Sequence, residues 1–231
     1  MIGHRARNVS LSKVAESYII GNMDEKNKNA VEIYDEIAED YAKNYDSIDG
    51  EEDLIFLNTF LSHVPRGSYL VDIGCGTGFS AEWLVQKGMK VEGCDLSSRM
   101  IGIAKKNYPA IRFSIADMRI FKPLQDADAV WAGYSMFHFD QIDFEQTIEN
   151  IKIWLKSGGI LGLVMQEGEG KVDVPEPFLP GRNIYIHLYA EDELKKIVAR
   201  HGFEIVDFKR RSAQHPNEFT YNKILLVGKL K

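Results

Sequence analysis

Three alternate glycines, Gly74, Gly76 and Gly78, follow an apolar stretch at residues 71–73 and precede an amphipathic segment. A glycine has no Cβ, so the backbone can turn sharply there and approach a ligand closely. The first N–H groups of the following helix then point at that ligand. The pattern predicts a strand, a turn and a helix that bind a carboxylate or the edge of a ribose. The G-x-G-x-G spacing differs from the G-x-G-x-x-G of dinucleotide sites and is weak evidence by itself.

Acidic residues at the ends of the next two predicted strands strengthen this prediction. Asp95 ends the second predicted strand, 17 residues after Gly78, and Asp117 follows the third. A carboxylate in the first of these places can accept hydrogen bonds from both ribose hydroxyls. Each residue alone also has a simpler explanation, since Asp72 could cap the turn, Asp95 with Ser97 could cap the next helix and Met118 could belong to the core. Their order along the chain favours a binding site.

Strand ends that carry Gly, Asp and Asp in this order resemble the cofactor site of class I S-adenosylmethionine-dependent methyltransferases. The resemblance extends from about residue 34 to the C-terminus. It implies that Asp72 helps to hold the methionine end of S-adenosyl-L-methionine. It also implies that the cofactor lies over the glycine turn, in contact with Gly74, Cys75, Gly76 and Gly78.

The same resemblance assigns the adenosine half of the cofactor to the later strand ends. Asp95 would bind the ribose hydroxyls, and Leu96 would cover one face of the adenine. Asp117 would meet the adenine amino group, and Met118 would lie alongside the ring. The implied fold is α/β and doubly wound, with a mostly parallel seven-stranded sheet, helices on both faces and an antiparallel last strand.

The implied chemistry is in-line transfer of a methyl group, which needs a base only when the acceptor must lose a proton. The aromatic-rich segment 133–139 follows the fourth predicted strand, where family members place residues that contact cofactor and substrate. We expect a site role for Tyr134, Ser135 or His138, with His138 as the candidate base. The alternative is that this segment packs under the sheet. His187 is a further candidate for the acceptor pocket, or else part of an ordinary strand-to-helix junction.

A stripe of tyrosines, Tyr34, Tyr41 and Tyr45, recurs at helical spacing before the glycine turn. Such a helix predicts either packing or a lid over the methyl group, because aromatic faces favour a cation by about 0.5–2 kcal/mol. Tyr41 is the candidate catalytic residue of the three, since members of the family often carry a tyrosine in a similar helix.

The element pattern predicts a flexible arm at residues 1–29 and a single domain at residues 30–231. Within that domain, lid helices are expected at 30–64, with the second helix at 51–63, and an irregular substrate-side insertion at 166–190. Between them, short apolar runs alternate with amphipathic segments, as in parallel strand–helix units. A helix up to Leu155 is expected to break at residues 157–159, before a strand at 160–165. Runs at 203–208 and 220–230 predict a terminal hairpin.

Composition narrows the function further. The chain has 231 residues, of which 45% are hydrophobic, as expected for one folded domain. Its net charge of −6 offers no general basic surface for nucleic acid. Cys75 and Cys94 have no metal-ligand spacing, so no metal site is expected. No apolar run reaches the roughly 20 residues of a membrane span, and no signal peptide is evident. We therefore expect a cytoplasmic protein without a membrane partner.

The leading hypothesis is a methyltransferase with a small-molecule acceptor. The tetrapeptide that positions amide or adenine nitrogens, and the Pro-Cys nucleophile for cytosine, are both absent. Two other hypotheses stay open. One is a protein or RNA methyltransferase, and the other is a nonenzymatic S-adenosylmethionine-binding module or a relative that uses the decarboxylated cofactor. No pattern in the sequence indicates an oligomeric state.

Overall fold

The computed structural model describes residues 23–45, 51–214 and 217–231. Most of the arm predicted at residues 1–29, namely residues 1–22, lies outside these ranges. In chain order the elements are α1 (Glu25–Tyr45), α2 (Glu51–Leu61), β1 (Tyr69–Ile73), α3 (Phe79–Gln86), β2 (Lys90–Asp95), α4 (Ser98–Asn107), β3 (Arg112–Ile115), β4 (Ala127–Gly133), a 3-10 turn (Met136–His138), α5 (Gln141–Trp154), β5 (Leu155–Gln166), β6 (Gly170–Glu176), β7 (Leu179–Leu188), α6 (Glu191–Arg200), β8 (Phe203–Arg211) and β9 (Lys223–Leu230).

Seven strands form one sheet in the order β3-β2-β1-β4-β5-β9-β8. The pairs from β3 to β5 are parallel, whereas β9 runs antiparallel to both β5 and β8. The predicted sheet, including its antiparallel last strand, is confirmed. Strand order reverses between β1 and β4, and ligands of open α/β sheets bind beyond the carboxyl ends of the strands at such a point.

Both faces of this sheet are covered, because successive side chains of a strand point to opposite faces. On β1, Val71 and Ile73 belong to the core cluster that contains residues of α1, α5 and α6. Leu70 belongs to the cluster that contains Phe56 and Phe60 of α2 and residues of α3. The long apolar runs of the central strands are therefore buried on both sides, as the sequence predicts.

The first helix begins earlier than expected. Residues 25–29 were predicted to belong to a flexible arm, but they form the first turn and a half of α1. Asp24 accepts a hydrogen bond from the backbone N–H of Asn27, which caps the helix. Lys26 also donates to Asp140 at 2.7 Å, and Asn27 donates to Asp143 at 3.1 Å. These contacts attach α1 to the N-terminus of α5 and explain why the polar residues are helical.

The predicted irregular insertion is regular. Strands β6 and β7 form a two-stranded antiparallel hairpin outside the main sheet. In β6 the alternation of charged and valine residues at 171–174 matches exposed and half-buried positions, a strand period that the surrounding Gly and Pro residues obscured. A second boundary also differs, since α5 ends at Trp154 and β5 continues through residues 157–159.

None of the helices in the described part of the chain combines the length and hydropathy needed to cross a lipid bilayer.

The close contact beneath the glycine turn makes a first prediction. Gly74 has φ 68°, and a Cβ there would overlap the side chain of Ser135. Gly74→Ala is expected to lower the free energy of unfolding by about 2–3 kcal/mol. As a control, Gly102→Ala in α4 would place a methyl group in open space and is expected to raise that free energy by about 0.5–1 kcal/mol. Equal unfolding midpoints for the two variants in denaturant titrations would contradict the contact.

Candidate functional site

The turn after β1 is held by the end of β2. The backbone N–H groups of Gly74 and Cys75 both donate to the carbonyl oxygen of Cys94, at 2.7 and 3.0 Å. The N–H of Gly76 donates to the Asp95 carboxylate at 2.9 Å. Gly74, Gly76 and Gly78 have φ angles of 68°, 50° and 84°, the left-handed region that glycine adopts without strain. The predicted turn is therefore present and rigidly attached.

The three glycines face different surroundings. A Cβ at Gly76 would meet nothing within 4 Å, so this residue presents bare backbone to open space. A Cβ at Gly78 would lie 2.7 Å from the Phe113 ring and 3.1 Å from Ala104, so this glycine allows α3 to pack against β3 and α4. The structure places Gly76 where a ligand can approach the backbone, and Gly78 within the packing behind the turn.

Two cavities meet at this turn. The larger encloses about 1140 Å³ and the smaller about 730 Å³, each measured out to its open mouth. Asp72, Cys75, Gln166 and Glu176 line the larger cavity, and Asp95, Leu96 and Met118 line the smaller one. The residues that line both are Tyr34, Tyr41, Gly74, Gly76, Gly133 and Tyr134. The arrangement suits an elongated ligand that passes over Gly76 from one cavity into the other.

Asp72 is buried at the base of the larger cavity. It is 1% exposed, and its Oδ2 atom has no hydrogen-bond partner within the described residues. Burial, followed by the nearby Asp95 charge, raises the pKa of the Asp72 carboxyl to about 8. A buried carboxyl without a donor is costly unless a ligand supplies one. The cavity therefore favours a hydrogen-bond donor or a cation beside Asp72.

Asp95 links three elements at the entrance of the smaller cavity. Its second oxygen accepts the backbone N–H of Ser97 at 2.8 Å, and burial raises the pKa of the carboxyl. Ser97 caps α4 as predicted, since its hydroxyl oxygen accepts the N–H of Met100. The same hydroxyl donates to Asp35 of α1 at 2.6 Å. Helix α1 is thus fixed over the ends of β1 and β2.

The third predicted acid lies apart from both cavities. Asp117 is 5% exposed, and both of its oxygens accept hydrogen bonds from the Arg119 guanidinium, at 2.6–3.0 Å. Arg119 also donates to Asp143 of α5. Met118 does line the smaller cavity, together with Leu96. The structure brings Met118 and Leu96 together as expected, while Asp117 supports the wall behind them.

Tyr134 carries the strained backbone of the site. It is the one non-glycine residue of the described chain with a positive φ, at 58°. Such residues are uncommon and cluster at functional sites. Its hydroxyl accepts a hydrogen bond from Arg211 at 2.8 Å, and the next residue, Ser135, donates to the Ile73 carbonyl at 2.9 Å. Tyr134 is therefore positioned at the junction of the two cavities, as the sequence suggested.

His138 lines the smaller cavity, but its environment does not favour the expected role as a base. Burial lowers the pKa of its imidazole to about 4, so the ring is neutral at pH 7. Its Nδ1–H donates to the Tyr185 carbonyl at 2.9 Å, because a carbonyl can only accept. Its Nε2 then accepts from the Tyr34 hydroxyl at 2.9 Å. Both nitrogens are engaged, and His138 orients Tyr34.

Aromatic side chains of α1 face the cavities. Tyr34 and Tyr41 pack edge to face with ring centroids 6.1 Å apart, and Tyr41 lies 6.2 Å from Phe178 of the hairpin connection. The side chain of Tyr45 lies outside the described part. His187 lines neither cavity, since it is 5% exposed and stacks on Tyr189. Of the tyrosine stripe, Tyr34 and Tyr41 line both cavities, and a lid formed by them stays a prediction.

Sequence reasoning missed the polar wall of the larger cavity. Gln166 at the end of β5 and Glu176 at the end of β6 are 1% and 3% exposed, and Lys223 at the start of β9 is 2% exposed. Gln166 and Glu176 lie in the region expected to be irregular, whereas Lys223 lies in the strand predicted at 220–230. Only the position of Gln166 at the carboxyl end of a parallel strand gave a signal. Elsewhere in the described residues, no group of three His, Cys, Asp or Glu side chains could hold a metal ion.

Comparison with known proteins finds a family match for part of the chain. The family described as "Methyltransferase domain" matches residues 70–159, from β1 into β5. Trans-aconitate 2-methyltransferase of Variovorax paradoxus is 32% identical over 107 residues, which are 45% of this chain and 40% of that protein. The matched stretch covers 32–55% of the length of such curated relatives.

The matched part of the chain, residues 70–159, is therefore similar to methyltransferase domains.

Solved structures of other proteins share this fold. A 1,6-didemethyltoxoflavin-N1-methyltransferase of Burkholderia thailandensis superposes with a TM-score of 0.68 at 14% identity, over 90% of this chain and 91% of that one. The [4+2]-cyclase SpnF superposes with a TM-score of 0.60 at 20% identity, over 76% of this chain and 80% of that one. At these identities the likeness shows the fold alone.

The residues present fit the family's cofactor. S-adenosylmethionine has an ammonium and a sulfonium at one end and a ribose and adenine at the other. Asp72 offers the buried oxygen without a partner that a cation requires, and Gly76 offers backbone that a ligand can approach. Asp95 offers carboxylate lone pairs beyond its two backbone hydrogen bonds. Both ends of the cofactor thus find suitable chemistry in the two cavities.

The raised pKa of Asp72 makes a prediction about pH. A cationic ligand favours the ionised carboxyl, so S-adenosylmethionine should bind more tightly as the pH rises from 6 towards 8, and binding at pH 7 should release most of one proton. Calorimetry in two buffers of different ionisation enthalpy measures that release. Asp72→Asn should abolish it and weaken binding at least tenfold. The same proton release from that variant would show that another group titrates.

Proposed function

We propose that this protein transfers the methyl group of S-adenosyl-L-methionine to a small molecule bound in the larger cavity. The observation that carries the proposal is the pair of cavities that meet over Gly76, with Asp72 on one side and Asp95 on the other. When bound, the cofactor supplies an electrophilic methyl group on a positively charged sulfur. We assign Asp72 to the methionine ammonium and Asp95 to the ribose hydroxyls.

Positioning is the main task of the chain's own residues. An aligned donor and acceptor can lower the barrier by about 7–11 kcal/mol. In this proposal Leu96 and Met118 hold the adenine from the smaller cavity, while Gly74, Cys75 and Gly76 pass beneath the cofactor. Tyr34 and Tyr41 cover the junction of the cavities, where their ring faces stabilise a cation by about 0.5–2 kcal/mol and keep water away.

A small acceptor is favoured by the shape of the larger cavity. Its walls come from α1, α2 and the β6–β7 hairpin, which close around the end of β1. The names of the relatives point the same way, since trans-aconitate and 1,6-didemethyltoxoflavin are both small molecules. Cys75 and Cys94 are buried free thiols, which suits the reducing cytoplasmic compartment that we propose for the protein.

A second possible function is cofactor binding without methyl transfer. The [4+2]-cyclase SpnF shares the fold, so this scaffold also serves proteins whose names describe other reactions. In such a protein the cofactor would bind, and no methyl group would be transferred.

Cofactor binding is tested by calorimetric titration with S-adenosylmethionine, S-adenosylhomocysteine and NAD. We expect micromolar dissociation constants for the first two and no binding of NAD. Asp95→Ala should weaken both by at least tenfold, because the ribose hydroxyls lose their acceptor. The matched control is Asp126→Ala, which removes an exposed carboxyl from the loop before β4. Equal affinities for the two variants, or tight binding of NAD, would contradict the assignment.

A further inference from the structure

The larger cavity contains an unusual balance of charge. Three carboxyls line it, from Asp72, Glu176 and Glu218, against one cationic side chain, Lys223. In water these groups would repel a polyanion only weakly, but buried charges interact far more strongly. The net charge of the side chains that line the cavity therefore decides which acceptors can enter it.

The one cation that lines this cavity already has partners within the protein. The ammonium of Lys223 donates to the carbonyl oxygens of Phe219 and Tyr221, both at 2.6 Å, and lies 3.6 Å from Glu218. Glu218 in turn accepts two hydrogen bonds from Arg211, at 2.8 and 3.0 Å. Two cations, Lys223 and Arg211, thus share the Glu218 carboxylate. The Lys223 ammonium is already hydrogen-bonded within the protein before an acceptor enters.

Glu176 is different from Glu218. It is 3% exposed, and its contact within the described residues is the backbone N–H of Phe178, 3.3 Å from Oε1. It forms no ion pair with any cation of the described chain, and burial raises the pKa of its carboxyl to about 7. A buried carboxyl with so few donors requires one from a ligand.

A neighbouring atom has the same requirement. The side-chain oxygen Oε1 of Gln166 is buried and has no hydrogen-bond partner within the described residues. Gln166 and Glu176 line the same cavity, beside the aromatic rings of Tyr41 and Phe178. A carboxyl with one long hydrogen bond and an amide oxygen with none, next to aromatic faces, are the complement of a protonated amine, which supplies N–H donors and a cation.

We infer that the acceptor carries an amine, and that Glu176 binds this group and accepts its proton before methyl transfer. The inference rests on the proposed function and names the acceptor's chemical class. It excludes a polycarboxylate such as trans-aconitate, although relatives bear that name.

The reaction balances without a further reagent. The Glu176 carboxylate takes one proton from the ammonium and becomes a carboxylic acid. The freed lone pair of the nitrogen forms a bond to the methyl carbon as the carbon–sulfur bond breaks, and that electron pair stays on sulfur, giving a neutral thioether. The product is a methylated ammonium, and the proton on Glu176 leaves to solvent.

The test uses the full-length protein saturated with S-adenosylhomocysteine. Calorimetric titration compares phenethylamine and tryptamine with the matched neutral compound 2-phenylethanol, with phenylacetate and with trans-aconitate. The amines should bind at least tenfold more tightly than the alcohol or either carboxylate. Glu176→Gln should remove at least tenfold of this preference. Asp173→Asn, the same change at an exposed position of β6, should leave it intact.

Each outcome bears on one proposal. S-adenosylhomocysteine should bind the Glu176→Gln variant within twofold of the original protein, which shows that the variant is folded. A carboxylate that binds more tightly than the amines would overturn the amine inference, as would amines with no advantage over the alcohol or a preference unchanged in Glu176→Gln. Failure of S-adenosylhomocysteine to bind the original protein would instead overturn the proposed function.

Discussion

The site depends on the attachment of one backbone turn to the end of the neighbouring strand. The Cys94 carbonyl and the Asp95 carboxylate receive N–H groups from residues 74–76, and this pairing fixes the turn after β1 relative to β2. Because the donors point into the protein, the opposite surface of Gly76 remains bare. Both cavities share that surface. The Ser97 hydroxyl continues the network to Asp35, so the helix that covers the site is fixed by the same strand end.

Buried carboxyls are the second constraint. Asp72 and Glu176 lack charged partners within the described chain, and their burial opposes ionisation. Such groups reduce the stability of a folded protein, and they persist where a ligand completes them. Asp117 differs from these two acids, because it is ion-paired to Arg119 and supports the wall of the site. The state of pairing thus distinguishes acids that are available to a ligand from those that support the structure.

Sequence patterns predicted the features that depend on residues close together along the chain. The glycine turn, the acid at the end of β2 and the cap at Ser97 are local features, and all were predicted where the structure has them. The pattern could not distinguish Gly76 from Gly78, because the difference lies in the distant Phe113 ring. It also could not reveal that Asp117 meets Arg119, or that Glu176 reaches the cavity. Those facts depend on tertiary packing, and in the hairpin the Gly and Pro residues concealed the strand period.

The hairpin has a further consequence for how this protein diversifies. Strands β6 and β7 pair with each other and belong to no other sheet, and the family match ends at residue 159, before they begin. The hairpin shares no strand pairing with the seven-stranded sheet, although Ile184, Ile186 and Leu188 of β7 pack in the core beneath it. In the proposed function, changes at Glu176 or Phe178 of the hairpin would alter the wall of the larger cavity and leave the glycine turn as it is. In that proposal, acceptor preference can change without a change in cofactor binding.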